Sequence, residues 1–138
     1  MSIFSHITIG VNDLEKSIWF YDKVLAELGL SRHSTGDGFA GYGPTLHKNK
    51  ITKPTGENSL WILKPSNGEI ASGSNGTNIA LSTRSRERID AFYAVCIDLG
   101  ATSEGSPGLR KDIHDNFYAC YIVDYDGNKI VAVCHEAQ

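Results

Sequence analysis

The feature that most constrains this chain is an internal repeat, with a shift that carries Ile7 onto Ile79 and is close to half of the 138 residues. The segment that starts at His6 reads HITIGVNDLEKSIWFYDKVLAEL, and the segment that starts at Asn78 reads NIALSTRSRERIDAFYAVCIDLG. The Phe-Tyr pair of the first segment aligns with that of the second. Such self-similarity is typical of a duplicated supersecondary unit and predicts two copies of one module.

Each copy shows the same order of elements. Alternating apolar and polar residues at the start of each segment predict a strand, and apolar residues at helical spacing then predict a helix. Asp13 and Ser85 are suitable N-caps, because a short acceptor side chain satisfies a free backbone N–H. Gly29 and Gly100 are suited to end these helices. Three short strands are expected after each helix: near 30–34, 39–43 and 59–64 in the first copy, and near 101–103, 117–124 and 129–135 in the second.

These patterns predict an α+β fold of two βαβββ modules. We expect an eight-stranded curved mixed sheet, a half-barrel with the helices on its convex side and a ligand cavity on its concave side. The whole chain, 1–138, is expected to be a single domain of module one (1–65), a linker (66–76) and module two (77–138). The linker is predicted from its Gly, Ser and Asn content.

The sequence DYDGN at residues 124–128 lies between two predicted strands and favours a tight hairpin turn over a calcium loop, which would need flanking helices and a distal Glu. A hairpin centred on Gly127 would place Cys120 opposite Cys134. The chain has 3 cysteines without CxxC spacing. In a reducing compartment they are expected to remain thiols.

Composition argues against several function classes. Net charge is −3, and the main basic concentration is Lys48, Lys50 and Lys53, which is interpreted as a solvated loop rather than a phosphate site. No nucleic-acid partner is therefore expected. Apolar runs are too short to span a bilayer and the N-terminus lacks a signal-peptide pattern, so no membrane partner and a cytoplasmic location are predicted.

Two segments carry a resemblance to a known superfamily. HITIGVNDLEKSIWFY resembles the opening strand and helix, and NFYACYIVDYDGNKIVAVCHE the closing hairpin, of vicinal oxygen chelate proteins. This superfamily includes glyoxalase I, extradiol dioxygenases, bleomycin-binding resistance proteins and fosfomycin-modifying enzymes. The run GLRKDIHDNFY is similar to a subgroup of small glyoxalase-like proteins. The resemblance covers nearly the whole chain and implies the same two-module fold.

The resemblance also implies where a divalent metal ion would be held: by a His in the first strand of each module and by a Glu in the last strand. His6 matches the first position, Asn78 stands at the second, and Val131 stands at the third. Catalytic ions generally need about three imidazole or carboxylate ligands. The sequence therefore predicts no metal and no other cofactor; a Zn, Ni, Mn or Fe ion would need ligands that the family pattern does not supply.

The remaining cavity residues are expected to bind a ligand. The parity of the predicted strands turns a set of side chains toward the cavity: His6, Thr8, Asn78, Tyr121 and Val131. His6 is expected to be hydrogen-bonded to Asn78, and Trp61 is expected at the rim, with a core position as the alternative. Thr8, Tyr121 and Lys111 also resemble anion-contacting positions of the fosfomycin-modifying branch.

Arg110, His114 and Tyr118 form a second polar group that matches the small glyoxalase-like subgroup, and Tyr118 is expected to bind the ligand. Arg110 can bind a carboxylate or phosphate through two donors, and His114 is the best candidate for proton transfer, so both are candidate catalytic residues. The alternative is that the group lies on a surface loop and satisfies local backbone groups. His33 and His47 have no identifiable partner and are interpreted as solvated.

Three function classes remain open at this level. The first is binding of a small metabolite or drug-like molecule without chemistry. The second is an enzyme, either a glyoxalase-type lyase or isomerase or a fosfomycin-modifying-type transferase, working through an unanticipated metal site or metal-free through His114. The third is a structural or partner-binding role. A homodimer is expected, because half-barrel modules commonly complete their cavities across a twofold interface.

Overall fold

The computed structural model of the chain describes residues 3–45 and 57–138. It divides into two compact units, Met1–Ala71 and Ser72–Gln138. Each unit contains one strand, one helix and then three strands. The predicted α+β class and the two βαβββ modules are therefore confirmed. The loop predicted from Lys48, Lys50 and Lys53, and the solvated His47, lie outside the described residues.

The first unit is built from β1 (His6–Gly10), α1 (Leu14–Ala26), β2 (Leu30–Gly36), β3 (Phe39–Pro44) and β4 (Ser59–Leu63). Its strands form one mixed sheet in the order β1-β4-β3-β2, in which β1 runs parallel to β4 and the other neighbours are antiparallel. Helix α1 packs on this sheet, and Phe20, Val24 and Tyr42 are fully buried between them. Burial of each such side chain contributes about 1.5–3 kcal/mol.

The second unit repeats this plan with β5 (Ile79–Ser82), α2 (Arg86–Asp98), β6 (Thr102–Leu109), β7 (Tyr118–Val123) and β8 (Lys129–Cys134). The strand order is β5-β8-β7-β6, again with a parallel first pair and antiparallel neighbours. Helix α2 covers one face of this sheet, where Ile89, Phe92 and Ile122 are fully buried. The opposite face of the sheet carries the apolar cluster of Ala119, Val131 and Val133, against which Tyr121 packs.

Both helices begin and end where the sequence predicts. The Asp13 carboxylate accepts the Lys16 N–H at 3.1 Å, and the Ser85 hydroxyl oxygen accepts the Arg88 N–H at 3.3 Å. Gly29 and Gly100 have φ values of 77° and 95°, a left-handed conformation that costs little only for glycine. No helix in the two described ranges is long and apolar enough to cross a membrane.

The closing hairpin differs from the prediction by two residues in register. Cys120 pairs with Ala132, and Cys134 pairs with Tyr118, so the two cysteines are not opposite each other. The Asp124 carboxylate accepts the N–H groups of Asp126 and Asn128, both at 2.9 Å, and Gly127 takes φ 89° in the second half of the turn. This turn is centred on Asp126 rather than Gly127. The three thiols are free and buried, as expected, and burial raises the pKa of Cys120 to about 11.

Strand β6 is much longer than the predicted segment 101–103. It continues through SPGL to Leu109, with irregular register at Gly105 and Gly108. Gly and Pro disfavour strands, but β6 is an edge strand, where Pro107 loses no hydrogen bond to a second neighbour. The extra length places the end of the strand, and therefore Arg110, beside β7.

Candidate functional site

The first position of the family metal set is His6, which lies exposed at the start of β1. Its Nδ1 is hydrogen-bonded to the Ser5 hydroxyl at 2.9 Å. The expected bond to Asn78 would join the two units and stays a prediction. In the first unit, therefore, the local partner of this imidazole is a neutral hydroxyl.

The other two positions of the set lie in the second unit and do not fit a metal ion. Asn78 is exposed directly before β5, and its amide oxygen is a weak neutral donor. Val131 is 2% exposed in an apolar cluster with Ala119 and Val133, against which Phe117 and Tyr121 pack. Across the described residues no group of three or more His, Cys, Asp or Glu side chains could hold an ion. The donor chemistry of these positions thus disagrees with the family set.

Thr8 and Trp61 are register partners on the parallel pair β1 and β4. Trp61 is half-buried and lies flat against Gly41 of β3, where an added Cβ would be 2.6 Å from its ring. His33 meets the indole at an edge, with ring centroids 5.3 Å apart, and Phe39 lies 6.0 Å from it. The first sheet therefore carries an aromatic group built around Trp61.

The expectation that His33 is solvated and without partners is wrong. Its Nδ1 is hydrogen-bonded to Ser34 Oγ and its Nε2 to Ser59 Oγ, both at 2.8 Å. Burial lowers the pKa of His33 from the ordinary value of 6.5. The sequence could not reveal the contact with Ser59, because Ser59 is on a different strand and far along the chain.

Tyr121 is the centre of a cationic site on the sheet face opposite α2. The Arg110 guanidinium carbon and the Lys129 Nζ each lie 5.5 Å from the centroid of its ring. Cations at this distance are attracted by the ring's quadrupole. We call Arg110, Tyr121 and Lys129 together the Tyr121 site. Lys129, which the sequence analysis missed, enters it from the first position of β8.

Two glycines make room for the Arg110 side chain. An added Cβ at Gly105 would lie 3.2 Å from one guanidinium nitrogen of Arg110, and one at Gly108 would lie 3.1 Å from the other. The guanidinium donates to the backbone oxygen of Ser106 at 2.8 Å. Among the described residues it has no carboxylate within ion-pair distance, whereas Lys129 is paired with Glu104 at 3.0 Å. Arg110 is thus a positioned cation without an ion-pair partner in the described part of the chain.

Tyr118 does not belong to the predicted group with Arg110 and His114. Its hydroxyl donates to Asp90 Oδ1 of α2 at 2.5 Å, and the Arg86 guanidinium lies 5.3 Å from its ring centroid. Burial and the hydrogen bond to Asp90 raise the pKa of Tyr118 to about 12. The Tyr118 side chain therefore faces the helix. Tyr121 is three residues further along the strand and lies on the opposite face, because successive strand side chains alternate between faces.

His114 lies in the turn between β6 and β7, and its Nε2 is hydrogen-bonded to Nδ1 of His135 at 2.9 Å. The turn is closed by backbone bonds: Arg110 N–H donates to Phe117 O at 2.7 Å, and His114 N–H donates to Arg110 O at 3.4 Å. Lys111 is exposed at the tip of this turn. His135 is a contact that the sequence analysis missed, since it follows β8 and meets His114 only through the hairpin.

Comparison with known proteins follows this geometry. The family model described as Glyoxalase/Bleomycin resistance protein/Dioxygenase superfamily matches residues 3–132. A crystal structure of a glyoxalase/bleomycin resistance protein from Albidiferax ferrireducens T118 is 34% identical, with a TM-score of 0.81 over 98% of this chain and 100% of that chain. No curated protein matches the chain.

More distant structures share the fold alone. A glyoxalase/bleomycin resistance protein/dioxygenase family enzyme from Burkholderia phytofirmans PsJN is 16% identical, with a TM-score of 0.66 over 96% of this chain and 98% of that chain. A genomically encoded fosfomycin resistance protein, FosX, from Listeria monocytogenes is 17% identical, with a TM-score of 0.64 over 97% and 93%. Both match the two-module plan.

Proposed function

This chain belongs to the Glyoxalase/Bleomycin resistance protein/Dioxygenase superfamily, and we propose that it binds a small organic anion at the Tyr121 site without a catalytic metal ion. The observation that carries the proposal is the position of Arg110. The residue is half-buried, its guanidinium lies against two glycines, and no carboxylate of the described residues is within ion-pair distance of it. An Arg in this state offers paired donors to a carboxylate or phosphate.

The surroundings of Arg110 support a ligand with both charge and apolar surface. Tyr121 supplies a ring next to the two cations, and the adjacent cluster of Phe117, Val131 and Val133 is apolar. Ligand sites commonly combine a mostly apolar lining with a few polar groups that fix orientation. A small anionic metabolite or drug-like molecule therefore suits this face better than a hydrated inorganic ion.

The proposal is tested by thermal unfolding of the full chain with inorganic phosphate, acetate, benzoate and phosphonoacetate. A ligand that binds the folded state raises Tm in proportion to its saturation. We expect at least one carboxylate or phosphonate to raise Tm of the wild type, and Arg110→Met to weaken its binding by about tenfold or more, because a charge-assisted hydrogen bond is worth about 1.5–3 kcal/mol.

Lys64→Met removes the same charge from an exposed position of the first unit and serves as the control. Equal loss of binding in both variants would mean that only net charge matters. Absence of any Tm shift across the panel with the wild type would contradict the proposal.

The metal-free part of the proposal has its own test. Wild-type protein incubated with Zn²⁺, Ni²⁺, Mn²⁺ or Fe²⁺ and then desalted is expected to retain no stoichiometric metal. The double variant Asn78→His with Val131→Glu restores imidazole and carboxylate at two family positions and is expected to gain divalent-ion affinity. Stoichiometric metal in the wild type would contradict the assignment of these two positions.

A further inference from the structure

His114 and His135 form a hydrogen-bonded pair that the Tyr121 site does not use. The two imidazoles are inclined by only 23°, with centroids 5.1 Å apart, and the short contact joins Nε2 of His114 to Nδ1 of His135 at 2.9 Å. The other nitrogen of His114, Nδ1, faces the backbone N–H of Asn116 at 3.1 Å. Three of the four ring nitrogens therefore have a hydrogen-bond partner: two of them bond each other, and the third bonds the backbone.

The backbone N–H decides the tautomer of both rings. A backbone N–H can only donate, so His114 Nδ1 must accept and carries no proton. The proton of a neutral His114 is then on Nε2, which donates to Nδ1 of His135. His135 Nδ1 is therefore an acceptor, and the proton of the neutral His135 ring is on its own Nε2. This direction of donation, from Asn116 through His114 to His135, is the one consistent with two neutral imidazoles.

With these tautomers, neither histidine has a ring-nitrogen lone pair that is free of a hydrogen bond. Proton abstraction by His114, on which a metal-free lyase or isomerase mechanism would rest, needs an unoccupied ring nitrogen as the base. Both acceptor nitrogens already receive a hydrogen bond. The polar group that remains is the Nε2–H of the exposed His135, which is a donor.

We infer that His135 Nε2 is a binding point for an oxyanion, the carboxylate or phosphate group of a ligand. Successive hydrogen bonds in a chain polarise one another, so the terminal N–H is a stronger donor than that of an isolated imidazole. This assignment rests on the proposed function in one respect. His135 would bind a second anionic group of the same ligand, or a second anion, on the face that carries the Tyr121 site.

The position of His135 agrees with such a role. Phe117 meets His114 and His135 edge-on, with centroids 5.5 Å and 5.2 Å away, and holds the two rings in place. The next residue, Glu136, is ion-paired with Arg84 at 2.8 Å, so its carboxylate is already occupied and repels an incoming anion less. The donor is therefore exposed yet oriented.

His135 and Tyr121 share the sheet face opposite α2 but are separate binding points. Tyr121 pairs with Val131, and His135 follows Val131 by four residues, or about 13 Å of strand at about 3.3 Å per residue. A ligand with two acceptor groups, or an extended ligand, would span this length of strand.

The tautomers are tested by long-range ¹H–¹⁵N correlation spectra of the uniformly ¹⁵N-labelled full chain. We expect protonated Nε2 and unprotonated Nδ1 in both rings, with a scalar coupling across the Nε2–H···Nδ1 bond. His33, whose partners are serine hydroxyls in the first unit, is the internal reference. A protonated Nδ1 on His135 would overturn the inference.

The donor role is tested by titrating inorganic phosphate and, separately, acetate into the same sample. His135 Nε2 is expected to shift and saturate with at least one of them. His114→Phe keeps a ring against Phe117 but removes the polarising donor, and we expect it to weaken the response roughly two- to tenfold. No shift of His135 with either anion would overturn the inference.

Arg110→Met separates this inference from the proposed function. If the variant loses its anion-dependent Tm shift but keeps the His135 response, both assignments hold. A wild-type Tm shift with no His135 response would overturn the donor role alone. A His135 response without an Arg110-dependent Tm shift would overturn the Tyr121 site alone.

Discussion

The two sheets have the same strand order, but they place their large aromatic ring on different strands. In the first sheet Gly41 of β3 pairs with Trp61 of β4, and at the equivalent pair of the second sheet Tyr121 of β7 faces Val131 of β8. The ring that stands on the last strand of one module therefore stands on the neighbouring strand of the other.

In both sheets the ring lies on a glycine of an adjacent strand. Trp61 lies against Gly41, and Tyr121 lies against Gly105 of β6, where an added Cβ would be 3.0 Å from the ring. The surroundings differ: Trp61 has neutral aromatic neighbours, and Tyr121 has two cations. The two modules therefore share a backbone plan, but a glycine accommodates the ring at a different strand position in each, and the chemistry around each ring differs.

The largest expected effect comes from placing a charge at the Val131 position. Val131→Glu would bury a carboxylate in an apolar cluster and is expected to lower the free energy of unfolding by about 3 kcal/mol, measured by urea unfolding without metal. Ala80→Glu is the control, because Ala80 is the exposed register partner of Val131. Equal losses of unfolding free energy for the two variants would mean that Val131 is accessible to water.

The glycines beneath the rings give the next largest effect. Gly41→Ala brings a Cβ to within 2.6 Å of the Trp61 ring, and we expect a loss of about 2 kcal/mol with a change in tryptophan fluorescence. Gly105→Ala, with its 3.0 Å contact to Tyr121, is expected to cost about half as much and to leave the fluorescence unchanged.

Gly76→Ala is the matched control for both, since nothing lies within 4 Å of a Cβ there. Equal losses of stability for Gly41→Ala and Gly105→Ala would contradict the inference that the Trp61 ring packs more closely on its glycine than the Tyr121 ring does. The measurement is urea unfolding followed by circular dichroism, so that the fluorescence change remains an independent readout.

A smaller effect separates the helix-facing sides of the modules. Tyr42 donates to Asp22 of α1 at 2.8 Å, and Asp22 also binds Arg32 at 3.1 Å, whereas the equivalent position of the second sheet is the apolar Ile122. Tyr42→Phe is expected to cost about 1 kcal/mol, because Asp22 loses a buried donor. Tyr93→Phe, which removes an exposed hydroxyl, is the control and should cost little. A cost below that of the control would contradict a stabilising role for the Tyr42 hydroxyl.

The smallest expected effect is a pH dependence carried by His33. Its pKa is lowered by burial, so the unfolded chain binds a proton more readily than the folded one. The stability that depends on neutral His33 is fully present above the ordinary value of 6.5 and is lost as pH falls below it. Urea unfolding at about pH 7.5 and about pH 5.5 should show a larger loss in the wild type than in His33→Gln. The same loss in both would assign the effect to other groups.

Local signals were sufficient for the two helices and their ends. The N-caps Asp13 and Ser85 and the helix-ending Gly29 and Gly100 act through contacts within one turn, so their roles follow from neighbouring residues. To predict the hairpin register, one must also know which residue of the turn takes the left-handed conformation while the Asp124 carboxylate binds the backbone. A shift of two residues was enough to separate Cys120 from Cys134.

The candidate site was only partly accessible from the sequence. Arg110 and Tyr121 were identified through the resemblance, but Lys129 and the contact between His135 and His114 were not, and Tyr118 was grouped with residues on the opposite face. Strand alternation would have separated Tyr118 from Tyr121 once the bounds of β7 were known. His33 was missed because its partner Ser59 lies on another strand.

The amino-acid sequence by itself determined the duplicated βαβββ plan and the helix caps, because these depend on residue type and on spacing along the chain. Only the tertiary structure decided that two cations meet one tyrosine ring and that a backbone N–H lies against one ring of a histidine pair. Those contacts join residues from different strands and turns, and their geometry exists only after the sheet has formed.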